Sequence, residues 1–145
     1  MMDWEYNDGG RAAAGFKGDA GDCVTRAIAI VARRDYREVY DALSSGCKSE
    51  RRSKRSSARK GVNVKRKWFK DYIASLGFTW VPTMQIGSGC KVHLRADELP
   101  AGRIICNVSK HVVAVIDGVA HDTCDPTRDG QRCVYGYWIF EGDQS

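Results

Sequence analysis

The stretch Lys110-His111-Val112-Val113-Ala114-Val115-Ile116-Asp117-Gly118-Val119-Ala120-His121-Asp122-Thr123 decides the fold. Its first run is rich in β-branched residues, which favour extended backbone. Asp117-Gly118 is a two-residue hairpin turn, a sequence that accepts the positive φ such turns require. The return strand, Val119 to Thr123, therefore pairs antiparallel with His111 to Ile116. Upstream, Arg103-Ile104-Ile105-Cys106-Asn107-Val108 reads as a further strand, as does Phe78-Thr79-Trp80-Val81 before Pro82. Arg132 to Phe140, carrying Val134, Tyr135, Tyr137, Trp138 and Ile139, supplies the last strand.

The first half of the chain has a different period. Apolar residues at 24, 27, 28, 31 and 32 recur at helical spacing behind Asp22, a good N-cap residue, and predict a buried helix over about 22 to 33. Tyr36, Val39, Tyr40 and Leu43 repeat the spacing over about 35 to 45, and Trp68, Phe69, Tyr72, Ile73 and Leu76 give a third helix that stops at Gly77. Helices first and an antiparallel sheet afterwards is an α+β order, expected to form one domain over residues 1 to 145. Residues 3 to 22 are glycine-rich and lack apolar periodicity, so they read as an irregular arm. From Lys48 to Lys67 there are ten lysines and arginines against one acid, Glu50, which reads as a solvated basic loop.

Composition narrows the function classes. No apolar run approaches the roughly 18 residues of a membrane-spanning helix, and the N-terminus carries acids where a signal peptide needs bases. A soluble, cytoplasmic protein is the expectation. In that compartment most of the six cysteines are expected as free thiols. For zinc, the closest pairs are Cys124 with Cys133 and Cys90 with His93, and neither has the paired C-x-x-C knuckle spacing. No metal is expected.

One cysteine stands where a thiol gains reactivity. Cys23 opens the first helix, where unpaired backbone N–H groups and the helix dipole stabilise thiolate and can also bind a developing oxyanion. A base needs a fixed mount, and His111 opens an apolar strand directly after Lys110. A two-residue turn pairs Ile116 with Val119, so His111 falls opposite Cys124, with Asp122 its diagonal neighbour on the same face. Asp125 has the opposite parity, which only a bulge near Pro126 would reverse, so Asp122 ranks first and Asp125 second as the group that orients the ring. His121 faces away from His111, and His93 lies in a short segment of undefined structure.

Gly21-Asp22-Cys23 with its apolar helix, followed much later by Lys110-His111-Val112-Val113-Ala114-Val115 and the hairpin return to Asp122, resembles the papain-like cysteine peptidase superfamily, especially its small bacterial or phage-type members. The resemblance covers about a third of the chain and keeps the order Cys, His, Asp. It implies that Cys23 attacks a carbonyl of a peptide or protein substrate, that His111 takes and returns the proton, and that Asp122 holds the tautomer, without a cofactor. Papain itself has a glutamine six residues before its cysteine, where this chain has Lys17. Lys17, Asp19 and Asp22 leave the side-chain oxyanion donor open, beside the backbone N–H of Cys23. Gln85, in the polar segment Pro82 to Cys90, either borders the cleft or sits on a plain surface loop.

Two other classes compete with an amide hydrolase. The basic stretch and the net charge of +5 suit a nucleic-acid-binding protein, with Lys48 to Lys67 on phosphate and Trp68 or Phe69 as a stacking face, or another acidic or polyanionic partner. A papain-like fold without activity, used as an interaction module, is the third.

Overall fold

The computed structural model describes residues 2–16, 21–50, 57–58, 61–85 and 87–141. In chain order the elements are β1 (Asp3–Tyr6), α1 (Cys23–Val31), α2 (Tyr36–Lys48), α3 (Lys67–Ser75), β2 (Phe78–Pro82), β3 (Val92–His93), β4 (Arg103–Val108), β5 (His111–Ile116), β6 (Val119–Asp122) and β7 (Cys133–Phe140). The strands form one sheet in the order β1-β6-β5-β4-β7-β2, with β3 also on β7. This is the expected α+β class.

Hairpin chemistry sets the register at the centre. Asp117 and Gly118 both have positive φ, and the pairs Ile116 with Val119, Val115 with Ala120 and Ala114 with His121 follow from the two-residue turn. Ser109 and Lys110 form the other two-residue turn, with positive φ at Lys110 alone, so Val108 pairs with His111. Between Asn107 and Val108 the pairing with β7 shifts by one residue, a bulge that bends the sheet.

Two apolar layers sandwich the sheet. On one face α1, α2 and α3 bury Ile28, Leu43 and Phe69 against Ile105, Val112, Ala114 and Trp138. On the other, Met2 and Leu94 cover Ile104, Cys106, Val113 and Val115. Arg103 fixes α1 lengthwise, its guanidinium donating to the carbonyls of Ile30 and Val31 at 2.6 and 2.7 Å. A cation there satisfies carbonyls that a helix end leaves unpaired.

Several segments depart from the sequence reading. The arm before Cys23 is not irregular throughout: β1 pairs parallel with β6, Asp3 to Val119 through Tyr6 to Asp122. Its four residues are all exposed, so no alternation marked it. Helix α2 runs on to Lys48 because Gly46 is a seat, not a stop. A Cβ on Gly46 would lie 2.2 Å from the Trp68 ring. In the described part of the basic stretch Lys48, Lys65 and Lys67 are exposed, as a solvated loop requires, but two other residues pack inward. Ala58 is buried and its carbonyl accepts from Thr25 Oγ1 at 3.2 Å, while buried Glu50 accepts from Trp68 Nε1 at 2.8 Å. Cys90 and Cys133 form a disulfide, and Cys23, Cys47, Cys106 and Cys124 keep their thiols. Neither pair weighed for zinc therefore keeps two available ligands, and among the described residues no group of three or more His, Cys, Asp or Glu is placed to hold a metal. No helix among them is long and apolar enough to cross a membrane.

Candidate active site

Cys23 is the first residue of α1, and β5 begins beside it with His111. The His111 ring bonds in two directions. Its Nε2 lies 2.6 Å from Asp122 Oδ2, which leaves Nδ1 for the hydrogen bond with the Cys23 thiol. Asp122 is almost fully buried at 4% side-chain exposure and His111 keeps 18%, so the carboxylate is sealed while the ring reaches solvent. A second oxygen of Asp122 accepts the backbone N–H of Thr123 at 2.7 Å.

The charges in this row shift one another. Burial pushes the Cys23 thiol up, but the bond and charge of His111, the Val112 N–H and the Arg26 guanidinium outweigh it and hold the thiol below its ordinary value. Burial pushes His111 down, yet Asp122 and Cys23 together raise it to about 9. Asp122, opposed by burial, is lowered by His111, Thr123 and Arg26. All three shifts favour thiolate beside imidazolium.

These residues share a cleft of about 480 Å³ whose lining includes Cys23, Arg26, Asn107, His111, Asp122 and Cys124. Gly61, Val62 and Val64, from the end of the basic stretch, form another side of it. At the bottom, α1 leaves the N–H groups of Cys23, Val24 and Thr25 without intrahelical acceptors, as any helix start does. The Asp22 side chain does not cap them.

Asp22 stands at the N-cap position of α1 as expected, but its side chain neither caps the helix nor lines the cleft. It is 2% exposed, and its carboxylate is drawn away by the Tyr36 hydroxyl, by Arg11 Nε at 3.2 Å and by Arg26 Nη1 at 3.4 Å. One hydroxyl bond and two ion pairs hold the carboxylate away from the helix N–H groups. Gln85 is exposed in a turn closed by Ser88 and does not line the cleft. Lys17 and Asp19 lie outside the described residues. Asp125 accepts from the N–H and hydroxyl of Thr127, at 3.0 and 2.8 Å, and not from His111. His121 faces Asn7 and Glu5, and His93 faces Glu98. Phe69 is 1% exposed and offers no stacking face, while Trp68 is half-buried, packed on Gly46 and bonded through its Nε1 to Glu50.

Two residues of the cleft were not singled out from the sequence. Arg26 links both ends of the site, reaching Asp122 Oδ1 at 3.6 Å, Thr123 Oγ1 at 3.1 Å and Asp22 on its own helix. Its position three residues after Cys23, on the same helix face, was the available signal. Asn107 pairs with Val112 near the end of β4, in step with Ile105, and so faces the helix side and the cleft. No protein-family model, curated protein or solved structure matches the chain, so its site is read from its own geometry and chemistry.

Proposed function

We propose that the chain is a thiol hydrolase of the papain-like type, cleaving a peptide or other amide bond with Cys23 as nucleophile, His111 as proton carrier and Asp122 as the residue that holds the ring. The observation that carries this reading is the continuous row from Cys23 through His111 to Asp122, with the thiol lowered and the imidazole raised together. A thiolate needs no further activation, and the proton its chemistry requires already sits on His111.

The Cys23 thiolate attacks the amide carbon, and the carbonyl electrons move to oxygen. The backbone N–H groups at the start of α1 are the donors for that oxyanion. Collapse of the intermediate breaks the C–N bond while His111 gives its proton to the departing amine, leaving a thioester on Cys23. Water then attacks the thioester with His111 as base. The acid leaves, and the thiolate and imidazolium are restored. Asp122 keeps Nε2 occupied throughout, so Nδ1 is the nitrogen that exchanges protons with Cys23 and substrate.

The test is the pH dependence of iodoacetamide alkylation at each free cysteine, read by peptide mass mapping in wild type and His111→Ala. Cys23 is expected to react well below the ordinary thiol pKa of about 8.5, and to lose that advantage without His111. A Cys23 that titrates like an ordinary thiol in both proteins overturns the reading.

A further inference from the structure

Beside the thiol cleft lies a second depression of about 360 Å³. Val64 and Asn107 line both, so the two adjoin at these residues, one holding Cys23 and the other lying toward the β2 side of the sheet. Trp80 and Trp138, paired across β2 and β7 with ring centroids 4.6 Å apart, form the floor of this second depression. Gly136 lets the Trp80 indole lie over β7, because a Cβ there would come within 2.3 Å of the ring. Trp80 remains 43% exposed, an apolar surface that favours a covering group.

The wall of this depression is basic. Lys65 and Lys70 line it together with Ile73 and Ala74 of α3, and no carboxylate does among the described residues. Their neighbours Arg66 and Lys67 lie against Glu50 and Asp71, whereas among the described residues Lys65 and Lys70 form no ion pair with a carboxylate. An aromatic floor with two cations beside it is complementary to an apolar side chain next to a negative charge.

We propose that this groove is the substrate-binding extension of the thiol site. It takes a peptide whose aromatic or large aliphatic side chain lies on Trp80 and whose adjacent acidic residue meets Lys65 and Lys70. Asn107, at the junction, offers its amide to the peptide backbone on the way to Cys23. The proposal rests on the thiol-hydrolase reading for the direction of the substrate, but the binding itself does not require the thiol.

The experiment uses the full chain carrying Cys23→Ala and fluorescein-labelled hexapeptides with phenylalanine-glutamate at the centre, read by fluorescence anisotropy. Replacing the phenylalanine by alanine is expected to weaken binding by about tenfold or more. Replacing the glutamate by lysine is expected to weaken it about fivefold at low salt, with the difference shrinking as salt rises. Lys65→Glu/Lys70→Glu reverses the charge preference, and Ala74→Trp, which places an indole in the groove, weakens the parent peptide by about tenfold. Equal binding of the three peptides, or an unchanged preference in both variants, overturns the proposal. Wild-type Cys23 alkylation is measured in parallel. Rapid alkylation without peptide discrimination removes the groove and leaves the thiol reading. Discrimination with an unreactive Cys23 keeps the groove as a binding site and removes the hydrolase.

Discussion

Cys23 and Cys106 belong to opposite layers of one sheet, and their thiols shift in opposite directions. Burial pushes both upward. For Cys106, 0% exposed between Ile104 and Val108, nothing answers it, and the thiol rises far above its ordinary value. For Cys23 the same penalty is overcome by an imidazole, a backbone N–H and a guanidinium. Depth alone makes a thiol inert, and a partner within bonding reach makes it useful. Such partners converge at one end of the sheet, where the start of α1, the start of β5 and the end of β6 come together.

The sharpest way to break this contrast is to exchange the cysteines' fates by mutation. Cys23→Ala is expected to lower amide hydrolysis by at least about a thousandfold. Cys106→Ala should leave the rate within about twofold and cost about 1 kcal/mol of stability in urea denaturation. An active Cys23→Ala protein sinks the mechanism, whatever Cys106 does.

Next in size is the removal of the partner. In His111→Ala the burial of Cys23 remains while its largest compensation goes, so the thiol pKa rises to the ordinary value or above it, as for Cys106. Hydrolysis should fall by about a hundredfold to ten-thousandfold. Wild-type kcat/KM should trace a bell in pH. The thiolate requires a pH above the depressed Cys23 pKa, and the imidazolium requires one below about 9. The alkaline limb therefore belongs to His111, and a limb that survives His111→Ala contradicts that assignment.

Asp122→Asn sharpens the comparison by weakening the partner without deleting it. The carboxylate is the first of the groups that raise His111 against its burial, so its neutralisation lets the imidazole pKa fall. The alkaline limb should move to lower pH, with a rate loss of about tenfold to a hundredfold, smaller than for His111→Ala. An unmoved limb means that Cys23 alone holds the ring's proton.

How far the sequence reached into this site follows from the range of each interaction. The bond between His111 and Asp122 was legible because a two-residue turn turns pairing into arithmetic. Cys23 was legible because a helix start is a local pattern. Asp22 takes the N-cap position for the same reason, but its carboxylate does not cap, because Tyr36 and Arg11 arrive from elsewhere in the fold and hold it. β1 escaped because its partner, β6, lies near the other end of the chain and its residues face solvent. Asn107 borders the cleft because α1 and the segment from Gly61 to Val64 are folded beside the end of β4, and Gly46 and Gly136 make room for tryptophans distant in sequence. Such fits between remote segments leave no period to read.

The smallest effect should come from the far end of α1. Arg103 holds the last carbonyls of this helix, whereas Arg26 anchors its first turn to Asp122 beside Cys23. With nine residues in α1, the two ends are about 13 Å apart. Arg103→Met keeps the apolar stem but removes two charge-assisted bonds, and should cost about 2 kcal/mol and lower Tm by several degrees. Because the contacts that set the Cys23 thiol lie at the opposite end, its alkylation profile should not move, and hydrolysis below the transition should change by less than about twofold. If the profile moves with Tm, the helix acts as a single lever on the thiol, and the division between an end that stabilises and an end that reacts is lost.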